Sequence, residues 1–149
     1  MLLRVLFIPL IFCIGVAGCS STVWEKDDFS DYENIDIAIN TSKEEYSTED
    51  TQLEITINNH TPIEIHFRPK NHGCRIEKLI DEQWYYLNDS LESEVSPAIS
   101  GGLTPGDSLT FSMPMLGVTG KGDYRVCFKY FYDEEDDDKI VTRTGVAYS

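Results

Sequence analysis

The chain has 149 residues, with 26 Asp and Glu against 12 Lys and Arg and a formal net charge of −14. That length suits one domain and not comfortably two. A chain this acidic is repelled by phosphate backbones and by anionic lipid, so nucleic acid is not an expected partner and membrane attachment needs something other than charge. Apolar residues make up 41% of the chain and aromatics 11%, which suits a packed core rather than disorder.

The first segment is apolar. Arg4 is its one charged residue, and residues 5–16 form an apolar run interrupted by Pro9. About a dozen residues fall short of the roughly 20 that a spanning helix needs, and a short apolar run behind a positive charge fits a cleaved export signal. It closes on Val16-Ala17-Gly18-Cys19, small residues before a cysteine, and this resembles the processing site of bacterial lipoproteins. The resemblance implies that the Cys19 thiol receives a diacylglyceryl group and that a signal peptidase cuts before it. Cys19 then begins the mature chain, and its acyl chains, palmitate among them, hold it in a membrane at roughly 0.8 kcal/mol per buried CH₂. Residues 1–18 are the expected signal peptide, 19–31 a lipidated tether and 32–149 the domain. In a host with two membranes, Ser20 carries no inner-membrane retention signal, so the outer membrane, facing the periplasm, is the expected site.

The tether is polar, with Trp24 and Phe29 as its large apolar residues; it spans at most about 40 Å if extended, and docking of Trp24 or Phe29 onto the domain edge is the alternative. From Tyr32 the period becomes two. Ile35, Ile37 and Ile39 alternate with polar or small residues, then Leu53, Ile55 and Ile57, then Ile63, Ile65 and Phe67. Each run predicts a half-buried strand, and Asn58-Asn59-His60-Thr61-Pro62 predicts a turn. Residues 74–80 and 84–87 flank Asp81-Glu82-Gln83 and predict a hairpin. Leu109, Phe111 and Met113 follow a Pro-Gly turn. Tyr124, Val126, Phe128, Tyr130 and Tyr132 form the longest alternation. The acidic run Asp133-Glu134-Glu135-Asp136-Asp137-Asp138 is expected as a solvated loop before a last strand from about Lys139. No stretch sustains a helical period, so the expected fold is an all-β antiparallel sandwich of about seven to nine strands.

Three motifs resemble a bacterial immunoglobulin-like (Ig-like) domain found in envelope lipoproteins, and together they cover roughly residues 50–147. They are Arg75-Ile76-Glu77-Lys78-Leu79 followed by Asp81 and Trp84-Tyr85, then Leu103-Thr104-Pro105-Gly106-Asp107-Ser108-Leu109-Thr110-Phe111, then Gly122-Asp123-Tyr124-Arg125-Val126. Glu82 stands where that family's hairpin usually has glycine. The resemblance implies an Ig-like β-sandwich and an envelope location, and it carries no catalytic residues.

With Cys13 in the leader and Cys19 acylated, Cys74 and Cys127 remain. In an exported protein two remaining cysteines are expected to pair, worth about 3–4 kcal/mol in the chain-entropy account, with two separate thiols as the alternative. If Val126 and Phe128 face the core, Cys127 faces outward with Arg125 and Lys129, so a bond would join neighbouring strands on the outer face or need a bulge. The carboxylates of Asp133, Asp136 and Asp138 are weak candidates for Ca²⁺, because calcium loops usually place glycine or carbonyl-bearing turns among their acids; the other functional reading of the run is an acidic contact surface for a basic partner. His60, His66 and His72 with Cys74 offer a His-x-Cys pair but no fourth ligand by spacing. Neither a metal nor a cofactor is expected. The chain has no Gly-x-Ser-x-Gly elbow, His-Glu-x-x-His pair or phosphate-binding glycine loop.

The expected function is therefore a membrane-anchored, non-enzymatic binding or structural module that contacts an envelope protein or glycan. Its alternative is an inhibitor or accessory subunit of an envelope enzyme, inserting a loop such as residues 93–102. Trp84, Tyr85, Tyr86, Tyr130, Phe131 and Tyr132 are too many aromatics for one face, so some are expected at the surface.

Overall fold

A computed structural model of the protein describes residues 23–29, 31–47, 49–68, 70–88, 101–115, 118 and 120–149. The expected leader 1–18, the processing residues Val16, Ala17 and Gly18, Cys19 and most of the 93–102 loop lie outside them. Among the described residues ten strands form, all paired antiparallel. They are β1 (Val23–Lys26), β2 (Ile37–Thr41), β3 (Gln52–Asn59), β4 (Ile65–Phe67), β5 (Cys74–Ile80), β6 (Gln83–Asn88), β7 (Gly101–Leu103), β8 (Ser108–Pro114), β9 (Tyr124–Asp136) and β10 (Lys139–Tyr148).

Seven of them make one sheet, in the order β1-β6-β5-β9-β4-β7 with β10 also on β9, and β2-β3-β8 make the other. β5 and β4 share one side of β9, at 124–128 and 131–132, while β10 runs along its other side. A short 3-10 turn, Lys70–Gly73, separates β4 from β5. Gly73 closes it at φ +81°, where a Cβ would meet the Lys129 carbonyl at 2.6 Å, so only glycine fits.

The alternating residues form the core between the sheets. Ile37, Ile39, Leu53, Ile55, Ile57 and Met113 come from the smaller sheet and meet Ile65, Phe67, Cys74, Val126, Phe128 and Tyr130 from the larger. Each fully buried side chain of this size contributes about 1.5–3 kcal/mol. The turn after β3 is pinned by buried Asn59, whose Nδ2 donates to the Ile63 and Leu103 carbonyls at 2.9 Å while its Oδ1 accepts from Thr61. Tyr130 crosses to the segment before β2: its hydroxyl donates to Asn34 Oδ1 and accepts from the Ile35 N–H, both at 3.1 Å.

Three stretches differ from the sequence expectation. β1 and the three-residue β7 carry the count among the described residues past nine, and β1 lies inside the stretch expected as a tether. The acidic run is not a loop but mostly strand, with β9 continuing to Asp136 and only Asp137-Asp138 turning the chain. Alternation of hydrophobicity marks strands with one buried face; residues 133–136 are all exposed acids and carry no such mark, and β7 is too short at three residues to show a period.

Candidate functional site

The outer face of the larger sheet carries a row of four residues across four strands. Glu25 on β1, Tyr86 on β6, Glu77 on β5 and Arg125 on β9 stand opposite one another in register, so their side chains share a face. Glu77 is fully buried there and Asp27, just past β1, is 8% exposed. Two arginines join them. Arg75 reaches Asp27 Oδ1 at 2.7 Å and Glu77 Oε1 at 2.8 Å, and Arg125 reaches Asp27 Oδ2 at 3.1 Å and Glu77 Oε2 at 2.7 Å. The four charges alternate in a closed ring. A buried carboxylate holds its charge only when paired and hydrogen-bonded in this way.

Aromatic rings cover the guanidiniums. Arg75 lies 3.8 Å from the Phe29 ring centroid and 4.0 Å from that of Tyr86, while Arg125 lies 4.2 Å from Trp84 and 3.8 Å from Tyr148. Planar, weakly hydrated guanidinium suits such stacking better than ammonium does. Tyr86 donates to Glu25 Oε2 at 2.5 Å, and this bond, with burial, pushes its phenol up to about 12. Burial also raises the Tyr148 phenol, whose oxygen is enclosed without a hydrogen-bond partner among the described residues. Residues 25–29 are thus clamped to the sheet rather than loose. The outward phase of Arg75, Glu77 and Arg125 is legible in the sequence. Their burial is not, because the segment that covers them comes from some 50 to 100 residues away.

Cys74 and Cys127 are both free and buried, and the expected bond is corrected by register. Cys74 stands opposite Phe128 and Cys127 opposite Arg75, so the two thiols point to opposite faces of the sheet. Cys74 packs in the core, while Cys127 lies beneath the ion ring. Bridging them would need one strand to slip by a residue, turning its whole apolar face outward. Burial raises both thiols, so neither is a ready thiolate.

Beyond the smaller sheet, β9 and β10 continue together as an overhanging hairpin arm. Asp133 accepts from Thr142 at 2.7 Å, and Asp136, with Glu134, accepts from Arg143 at 3.2 and 3.0 Å. Asp137 and Asp138 form the turn at φ 49° and 64°. Asp133 and Asp136 are three residues apart on a strand and face opposite ways, so the three candidate Ca²⁺ ligands do not converge. Among the described residues no three His, Cys, Asp or Glu side chains gather into a metal site. His72 packs on Phe111 at 4.3 Å between ring centroids and His66 lies beside Glu64, so the histidines do not meet either.

Where the arm leaves the sandwich, a groove of about 610 Å³ opens between its base and the loops at 33–35 and 61–63. Ile35, Pro62, Ile63 and Tyr132 supply apolar surface and Glu33, Asp133, Glu134 and Glu135 supply carboxylates, with Arg143 as the one base. Sequence reasoning found the acids of 133–138 but not Glu33, Ile35 or Pro62 as their neighbours, since only the fold brings them together. Of the aromatics expected at the surface, Tyr130 is buried, and Trp84, Tyr85, Tyr86, Phe131 and Tyr132 are half-buried. Tyr32 is exposed.

These observations define an antiparallel β-sandwich with an electrostatically clamped outer face and an acidic overhang. A family model, the bacterial Ig-like domain, matches residues 33–141, and the chain belongs to that family. Domains of this family are binding or structural modules, generally non-catalytic and typically extracellular or surface-exposed. No curated protein and no solved structure matches the chain.

Proposed function

We propose that the protein is a lipid-anchored, non-enzymatic module of the bacterial envelope, held by acylated Cys19 and presenting its Ig-like sandwich to an envelope protein or glycan. The observation that carries this reading is the order of parts: an apolar leader ending at Val16-Ala17-Gly18-Cys19, then an Ig-like domain filling residues 33–141. Lipid rather than protein charge supplies the membrane affinity, which suits a chain of net charge −14. The clamp alters how such a module would sit. With β1 beginning at Val23, only residues 20–22 separate Cys19 from the sheet, about 10 Å at full extension. The domain then stays close to the bilayer instead of roaming on a long tether.

The test is metabolic labelling with an alkyne analogue of palmitate, with fractionation of membranes. The wild-type chain is expected to incorporate label and sediment with membranes, and Cys19→Ser to do neither. Label retained by Cys19→Ser would defeat the anchor.

A further inference from the structure

We propose that the groove beneath the β9–β10 arm is a docking site for a basic, amphipathic protein segment in which Lys or Arg alternates with apolar residues. This rests on the binding-module reading and names the surface and the chemistry of its partner.

The groove exists because the two sheets differ in length. β9 has 13 residues and β10 has 10, whereas β2 has five. The arm's inward face therefore continues past the layer that should cover it. Tyr132, the last residue of the inward alternation, is packed against the core on one side and lines the groove on the other. Ile35 does the same, and half-buried Ile63 lines the groove beside it. An apolar floor of this kind gains from being covered.

Charge selects what covers it. Four carboxylates face one base in the lining, and that base, Arg143, is already engaged by Glu134 and Asp136. The Glu33 and Glu135 backbones are engaged, Glu33 accepting from the Val146 N–H at 3.1 Å and Glu135 standing opposite Ile140 in the ladder, but no hydrogen bond or ion pair ties up either carboxylate among the described residues. An anionic or acidic segment is repelled there, which disfavours a second copy of this chain at net charge −14. Residues 89–100 carry three acids and no base, so they are poorly suited too. A segment with cations at alternate positions places charge at the rim and apolar side chains on the floor, the division of labour common in protein interfaces.

The probe is a fluorescent short peptide alternating Lys with Leu, titrated into the full-length protein in detergent micelles and followed by anisotropy and by backbone amide shifts. Binding is expected, with shifts centred on Glu33, Ile63, Tyr132 and Glu134 and affinity falling as salt rises. Glu33→Gln with Glu135→Gln, both exposed, is expected to weaken it about fivefold or more. Asp137→Asn with Asp138→Asn removes as much charge at the arm's tip and is expected to leave affinity within about twofold; asparagine tolerates the turn's positive φ. No binding at about 1 mM peptide, equal affinity for oligolysine, or equal weakening by the tip pair would overturn the proposal. In-cell crosslinking separates the two levels. A partner captured equally by wild type and by the Glu33→Gln, Glu135→Gln variant defeats the groove and leaves the module reading intact; no partner with either defeats both.

Discussion

β9 is two different environments on one strand. At its start, Arg125 sits among Asp27, Glu77, Trp84 and Tyr148, with every charge paired and water largely excluded. At its end, Glu134, Asp136 and Arg143 make comparable contacts at 3.0 and 3.2 Å, but all are about half exposed. Similar bonds carry different consequences. Removing one partner from a buried ring strands a charge in low dielectric, while an exposed pair competes with water and salt. The first half is built as a clamp and the second is left available.

The contrast is sharpest for single substitutions in the ring. Arg125→Ala leaves Glu77 buried with half its partners and is expected to cost about 3 kcal/mol in urea unfolding. Replacing Glu77 and Arg125 together with leucine should recover part of that loss, because the fully buried Glu77 carboxylate goes with its partner, while Asp27 keeps Arg75 at 2.7 Å. If the single change costs no more than a surface pair, the two ends of β9 are alike and the clamp is decoration.

At the boundary between the halves, Gly145 faces Tyr130, and a Cβ there would meet the phenol ring at 2.4 Å. Gly145→Ala is expected to lower stability by about 2 kcal/mol through overpacking. It should also disturb the Tyr130 bonds to Asn34 and Ile35, visible as faster exchange of the Ile35 amide. A neutral Gly145→Ala would mean that the ring moves aside freely.

The two tight hairpins extend the comparison to turns. Asp81 and Glu82 join β5 to β6 at φ 48° and 64°, and Asp137 and Asp138 join β9 to β10 at 49° and 64°. In each, glycine at the second position should relieve about 1 kcal/mol of left-handed strain. Glu82→Gly, inside the clamped half, is expected to raise the global unfolding midpoint. Asp138→Gly should instead slow amide exchange in the arm alone, since exposed segments that bury little apolar surface exchange through local opening. Smallest of all, Glu134→Gln on the arm should change stability by less than about 0.5 kcal/mol.

Alkaline pH reads the enclosed half. Burial pushes the Tyr130 phenol up to about 12 from an ordinary value near 10, and Tyr86 rises to about 12 through its bond to Glu25 and burial. The folded state thus keeps protons that the unfolded chain gives up first. Their contribution is complete below about pH 10 and is lost as pH rises toward 12. Tyr130→Phe should flatten that decline in a pH series of urea midpoints.

The sandwich was legible because burial on one face imposes a period of two, and Ile37, Ile39, Leu53, Ile55, Ile57, Val126 and Phe128 obey it. The same alternation correctly set Cys127 outward, away from the core. It could not show that Cys74 points the other way, since that depends on the register between β5 and β9. Nor could it show that residues 25–29 fold back over Arg75 and Arg125, because a polar segment has the same composition whether it is solvated or buried in an ion ring.

The sequence by itself determined the strand pattern, the Ig-like class of the sandwich and the strong negative charge, all of which follow from local periodicity, motif order and composition. The tertiary structure decided which charges are neutralised and which are left bare, and that the two cysteines stand on opposite faces. It also decided that Glu33, Ile63 and Tyr132 line one groove. Those outcomes depend on register and on the unequal lengths of facing strands, which are relations between distant segments.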